Sequence, residues 1–184
     1  MLQDLPELIH PLRFARSKRA LCGRVALVRM HRLRPLLAAE VGYAEVNLRF
    51  GPDDWGRLGI QGEVWAELSL ICQCCLGAMP FRVESDVRLN MMFSDHEMER
   101  PTEYISPGFE PLVITDDGTA MVLSDIIEDE LLLALPSVPR HPDGVCEVAG
   151  RYLGGEGAHN ERDNPFAVLE GLMENRGNGI LKDS

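Results

Sequence analysis

Two runs of alternating hydrophobicity, joined by a short cysteine-rich connection, constrain this chain more than any other feature. From Leu58 to Ile71, Ile60, Val64, Ala66, Leu68 and Leu70 share one parity, while Gln61, Glu63, Glu67 and Ser69 take the other. From Phe81 to Phe93, Phe81, Val83, Ser85, Val87, Leu89 and Met91 again share parity. A period of two is the signature of a half-buried strand. Between the runs lie Cys72-Gln73-Cys74-Cys75-Leu76-Gly77-Ala78-Met79-Pro80, with Gly77 and Pro80 as breakers. Two strands this close in sequence pair most simply as an antiparallel hairpin. Cys72 and Cys75 then fall at its tip.

Shorter segments extend the sheet. Arg24–Met30, Glu40–Phe50 and Phe109–Thr115 read as strands, and Gly51-Pro52-Asp53-Asp54 and Asp116-Asp117-Gly118 as turns. Residues 94–108 read as an exposed loop. At Ser124 the period changes. Ile127, Leu131, Ala134 and Leu135 recur at helical spacing, Asp125 and Glu128 resemble a helix-start signal, and Pro136 ends the element. Asn164-Pro165 is a cap followed by a first-turn proline, which opens a short second helix. The expected fold is α+β: an antiparallel sheet of about five strands, with the Ser124–Leu135 helix packed on it and a short C-terminal helix. The expected organisation is a partly irregular segment over residues 1–23, a single α+β domain over 24–140, and a loop, short helix and tail over 141–184.

The cysteines carry the first candidate chemistry. A C-x-x-C pair can close a redox-active disulfide or offer two thiolates to a metal. Redox centres of this type place the pair at a helix N-terminus, and Leu76 to Pro80 is too broken to be that helix. Zinc asks for four ligands, and His141 with Cys146 would complete a set with Cys72 and Cys75. Cys22 and Cys74 read as bystanders. An odd count of five cysteines, three of them crowded together, suits a reducing compartment better than a secreted disulfide scaffold. The first residues lack a charged and apolar leader, and no run approaches the roughly 18 apolar residues of a membrane span. A cytoplasmic location is expected.

Charge is the second feature. Leu8 to Ala39 holds no acid and eight cations, namely Arg13, Arg16, Lys18, Arg19, Arg24, Arg29, Arg32 and Arg34. The chain totals −11, so the remainder carries −19. The basic stretch suits phosphates, with Arg13, Arg16, Lys18, Arg19 and Arg24 as candidate RNA contacts. The acidic remainder suits a cationic protein. Asp125, Glu128 and Asp129 share a helical face and could do acid–base work or hold a metal, but the start of the helix already accounts for them. His10, His31, His96 and His159 have no nucleophile at a telling spacing, and no phosphate-binding glycine motif is present. No catalytic residue, membrane contact or small-molecule substrate is expected.

Three segments together resemble a known family: Cys72-Gln73-Cys74-Cys75-Leu76; Asp125 to Pro136 running on through Val138-Pro139 to His141 and Cys146; and Asn164-Pro165-Phe166-Ala167-Val168-Leu169. Their order and separation over residues 60–173 look like the YceD family of large ribosomal RNA accumulation proteins. The resemblance implies a cytoplasmic, non-enzymatic factor in ribosome biogenesis. It would support synthesis, processing or accumulation of large-subunit ribosomal RNA by binding precursor RNA or an assembling basic ribosomal protein. The family is usually encoded beside a zinc-ribbon protein of the large subunit. Some relatives carry extra cysteines after the leucine-proline block, which favours metal there; this chain has His141 and Cys146 in that place instead, which leaves a structural zinc open as cofactor. Relatives often have Arg where this chain has Cys74. Two other readings are an RNA-processing enzyme on the Asp125/Glu128/Asp129 face and a zinc-stabilised adaptor without RNA contact.

Overall fold

The hairpin forms as its alternation dictates. In a computed structural model of the chain, β4 spans Leu58–Ile71 and β5 spans Ala78–Met92, paired antiparallel from Gly59↔Asn90 to Ile71↔Ala78. The structure describes residues 2–93, 97, 104–115, 120–142 and 145–146. Met1–Cys146 is one compact unit, and the expected helix at Asn164 lies outside the described residues.

Five strands form the main sheet in the order β2-β3-β4-β5-β6. Besides the hairpin these are β2 (Ala20–Ala26), β3 (Tyr43–Pro52) and β6 (Glu110–Val113). A two-stranded ribbon joins β1 (Leu8–Ile9) to β7 (Met121–Val122). Two helices, α1 (Pro11–Arg16) and α2 (Leu123–Ala134), pack on one face of the sheet. Ile60, Val64, Ala66, Leu68 and Leu70 of β4 are buried on that face, with Ile60, Ala66 and Leu70 at zero exposure. Each such Leu or Ile contributes about 1.5–3 kcal/mol of transfer free energy. The opposite face, with Glu45, Arg49, Glu63, Trp65 and Glu67, is open to solvent or half-buried. Gly62 permits the close approach of β3 and β4. Its φ is +153°, and a Cβ there would meet Asn47 O at 2.0 Å.

The sheet is mixed and not wholly antiparallel, because β6 pairs parallel to β5, from Leu89↔Glu110 to Met92↔Val113. Parallel pairing needs a crossover, and the long connection over residues 93–109 is enough to return the chain to the same end. The strand expected at Arg24–Met30 begins and ends earlier. After Ala26 the chain leaves the sheet in two 3-10 turns, Leu27–Arg29 and Arg34–Leu36. Leu27, Met30 and Leu33 are buried at a spacing of three, the repeat of a 3-10 helix, which a two-residue reading overlooks. Residues 1–23, expected to be partly irregular, hold β1, α1 and the start of β2. Nor is the 94–108 stretch exposed throughout, since Ser106 is buried.

Ser106 is held by a buried carboxylate. Asp53 accepts hydrogen bonds from Ser106 Oγ at 2.5 Å and Asn90 Nδ2 at 2.9 Å, and from the N–H groups of Trp55 and Arg57, each at 2.9 Å. Burial alone would raise this carboxyl, but the hydrogen bonds of Ser106, Asn90, Arg57 and Trp55 together outweigh it and hold it below its ordinary range. A depressed carboxylate adds stability that is complete above its unfolded pKa and is lost as pH falls through the folded one. Asp53→Asn is therefore expected to cost about 2–3 kcal/mol at neutral pH, since an amide must point N–H groups at donors. Urea titrations across the acid range should show a shallower loss of stability in the variant. An unchanged slope would mean that Asp53 does not carry this linkage.

Candidate metal centre and basic edge

The connection between β4 and β5 is a tight knuckle. Leu76 N–H donates to Cys72 O at 2.8 Å and Cys72 N–H to Gly77 O at 2.9 Å. Leu76 closes it in the left-handed region, with φ +59°. Gln73 N–H donates to Pro139 O at 2.8 Å, which ties the knuckle to the segment after α2. That segment supplies His141 and Cys146. The ligand atoms of Cys72, Cys75, His141 and Cys146 all lie within 4.8 Å of one another. A tetrahedral zinc with sulfur at about 2.3 Å needs sulfurs about 3.8 Å apart, a small contraction from this arrangement.

The protonation chemistry of the cluster also fits a cation. His141 Nε2 lies 3.2 Å from Ala78 O, and Nδ1 lies 3.5 Å from Cys75 Sγ. A carbonyl only accepts, so Nε2 carries the hydrogen and Nδ1 presents its lone pair to the sulfurs. The Cys72 thiol is lowered to about 5, chiefly by the backbone N–H of Cys75, with those of His141 and Cys74 adding against burial. Cys74 N–H donates to Cys72 Sγ at 3.4 Å. The other thiols move oppositely. For Cys75 the Gly77 N–H favours thiolate, but burial and the neighbouring Cys146 and Cys72 outweigh it. Cys146 is raised by burial first and then by Cys74. Three thiolates cannot share this volume alone, and a divalent cation removes the repulsion. These four residues can hold a metal ion. The pair stands between two strands and not at a helix start, as the sequence implied. Cys22 and Cys74 are exposed and outside the set.

Seven of the eight cations of the basic stretch, all but Arg29, are sorted by the fold into two groups. Arg24 bonds Asp4 at 2.7 Å and lies over the Tyr43 ring at 4.1 Å. Arg32 binds Glu128 and Asp129, and Arg34 binds Glu40 at 2.7 Å. These three cations are neutralised internally, which removes Arg24 from an open patch. Arg13 and Arg16 are exposed on α1, whose C-terminus is closed by Arg19 N–H to Phe14 O at 3.0 Å and Lys18 N–H to Ala15 O at 3.1 Å. This double bond pattern is a Schellman closure, in which the left-handed residue is usually glycine. Here it is Lys18, at φ +50°. The pairing of β2 with β3, Ala20↔Arg49, then sets Lys18 and Arg19 beside Arg49. Lys18, Arg19 and Arg49 share a concavity whose lining, with Gln61, includes no carboxylate among the described residues. Arg49 lies beyond the basic run and was not singled out from sequence. Its signal was its place on the polar parity of β3.

The Asp125/Glu128/Asp129 face is divided. Glu128 is only 2 % exposed and accepts from Leu33 N–H at 2.8 Å and from Arg32. Helix α2 starts at Leu123 without a side-chain cap, so Asp125 and Glu128 do not form the helix-start pair expected.

Comparison with known proteins agrees with the resemblance. Residues 60–173 match the family model described as Large ribosomal RNA subunit accumulation protein YceD. The chain belongs to the YceD family. It is similar over 176 residues, at 28 % identity, to the Large ribosomal RNA subunit accumulation protein YceD of Haemophilus influenzae, covering 92 % of this chain and 97 % of that one. No solved structure matches it. All four residues of the metal cluster fall inside the matched YceD segment, whereas Lys18, Arg19 and Arg49 precede it. Among the described residues, no helix is long and apolar enough to cross a membrane.

Proposed function

We propose that this YceD-family chain supports the accumulation of large-subunit ribosomal RNA as a non-enzymatic, cytoplasmic binding factor. It engages precursor ribosomal RNA through the edge formed by Lys18, Arg19 and Arg49, with Arg13 and Arg16 alongside. A structural zinc on Cys72, Cys75, His141 and Cys146 fixes the hairpin tip to the segment after α2. The observation that carries the RNA reading is the carboxylate-free concavity at that edge, in a chain whose net charge is −11. A concavity lined by three cations and, among the described residues, by no carboxylate offers phosphates a favourable surface on an otherwise acidic molecule. Lys18 adds to this. A lysine in left-handed backbone costs on the order of 1 kcal/mol, and glycine would remove that cost along with the charge. The enzymatic alternative loses support because Glu128, the centre of the acidic face, is spent on backbone N–H groups and Arg32.

The test is RNA binding by the full chain across a salt series, using a precursor fragment of the large-subunit ribosomal RNA. Changing Lys18, Arg19 and Arg49 together to Ala is expected to weaken binding at least tenfold near physiological salt. Its logarithmic salt slope should become shallower by roughly two, as loss of three phosphate contacts requires. Arg24→Ala should leave both quantities nearly unchanged. Equal binding by wild type and the triple variant refutes the RNA reading. In that outcome a basic ribosomal protein becomes the direct partner.

A further inference from the structure

A second concavity lies on a different part of the molecule, between β6, β7 and the exposed side of α2. Its volume is about 440 Å³. Its floor and lip are apolar, with Leu112, Met121, Val122, Ile126 and Leu133 among the lining. Leu133 is 71 % exposed, although it sits on the main helix of the fold. Single exposed leucines are ordinary, but one on the lip of an apolar groove adds contact area for a partner.

The carboxylates around this groove specify the partner. Glu110, Asp125, Asp129 and Glu130 all line it, and no Lys, Arg or His does. Asp129 is paired with Arg32. Glu130 is 8 % exposed and, among the described residues, receives a 3.4 Å contact from Ser85 Oγ. Among the described residues, no cation pairs with Glu110, Asp125 or Glu130. Burial first, and then the charges of Glu110 and Asp129, push the Glu130 carboxyl up. A largely buried carboxylate that shares an apolar concavity with a second acid carries an electrostatic cost, which the Ser85 contact only partly offsets. A cation entering the groove would relieve it, and apolar side chains beside that cation would cover the floor.

We propose that this groove docks a cationic amphipathic polypeptide segment, with Lys or Arg meeting Glu110, Asp125 and Glu130, and Leu-type side chains meeting Leu112, Ile126 and Leu133. This surface is separate from the basic edge and stands whether or not that edge binds RNA. Charge complementarity disfavours the nucleic acid itself as occupant, because phosphates would meet Glu110, Asp125 and Glu130, which no cation pairs with among the described residues.

The test uses the full chain, isotopically labelled, and a short fluorescent peptide of alternating Lys and Leu. Saturable binding is expected, with amide shifts centred on Leu112, Val122, Ile126 and Leu133. Converting Glu110, Asp125 and Glu130 to Gln, Asn and Gln should weaken binding at least tenfold. A matched control, with Glu45, Glu63 and Glu67 changed to Gln on the open sheet face, removes the same charge elsewhere and should change it less than twofold. Leu133→Ser, at a position 71 % exposed, should weaken binding severalfold. Equal losses in the groove and control variants, shifts on the open sheet face, or no saturable binding would each overturn the proposal.

Discussion

Cys75→Ser is expected to empty the metal centre and loosen the hairpin tip. The wild-type chain, purified reduced and without chelator, should carry one zinc per chain. The variant should lose zinc affinity by more than about 100-fold, the upper range seen when merely the outer supports of a ligand are removed. The structural reason lies in how the site is assembled. Cys72 and Cys75 come from the β4–β5 knuckle, and His141 and Cys146 from the segment after α2. The metal would therefore cross-link parts of the chain nearly 70 positions apart. Between them the described backbone offers the bond from Gln73 N–H to Pro139 O. Losing the cross-link frees the 139–146 segment, and a fall in Tm on the order of 10 °C is expected for a domain of this size. Cys22→Ser, on the open face of β2, should change neither zinc content nor Tm. Elemental analysis and thermal denaturation decide it. A wild-type chain without stoichiometric zinc, or a Cys75→Ser chain that keeps it, would falsify the zinc assignment.

Glu128→Ala is expected to cost about 3–5 kcal/mol, the largest effect of any single carboxylate here. Glu128 is nearly inaccessible and reaches from α2 to the turn that follows β2. Its Oε1 accepts from the N–H groups of Arg32 and Leu33, and its Oε2 from Arg32 Nε at 3.1 Å. Truncation strands the buried N–H of Leu33 and the half-buried N–H of Arg32, and opens a cavity beside Leu33, which is at zero exposure. Glu128→Gln keeps the shape and one acceptor, so it should cost roughly half as much. RNA binding at the basic edge should survive in the fraction that remains folded. Urea denaturation with RNA binding under native conditions separates the two roles. A soluble, fully stable Glu128→Ala chain that has lost an RNA-cleaving activity would instead restore the enzymatic reading.

Much of the sheet was legible because alternation is a direct record of burial on one face. The bounds of β4 match the alternating run, and those of β5 and α2 lie within a few residues of theirs. The route after β2 was misread because Val25, Leu27, Met30 and Leu33 mix two periods, and a strand pattern absorbs the first of them. The small ribbon of β1 and β7 was invisible, since two-residue strands carry no periodicity. The basic stretch was legible as charge but not as a surface. Sequence could not say that Asp4, Glu40 and the α2 carboxylates would neutralise three of its arginines, nor that Arg49 would join the rest.

By itself the sequence determined the hairpin, the main helix, the family and the four residue types of the cluster that could hold a metal. Each is written in local periodicity or in residues whose chemistry does not depend on neighbours. Only the tertiary structure decided that β6 returns parallel, that His141 Nδ1 turns toward the sulfurs, and that Arg24, Arg32 and Arg34 are paired with acids. Those outcomes depend on distances between residues remote in the chain. Burial and pairing energies act through space, and the order of residues along the chain records them only where the partners are close in sequence.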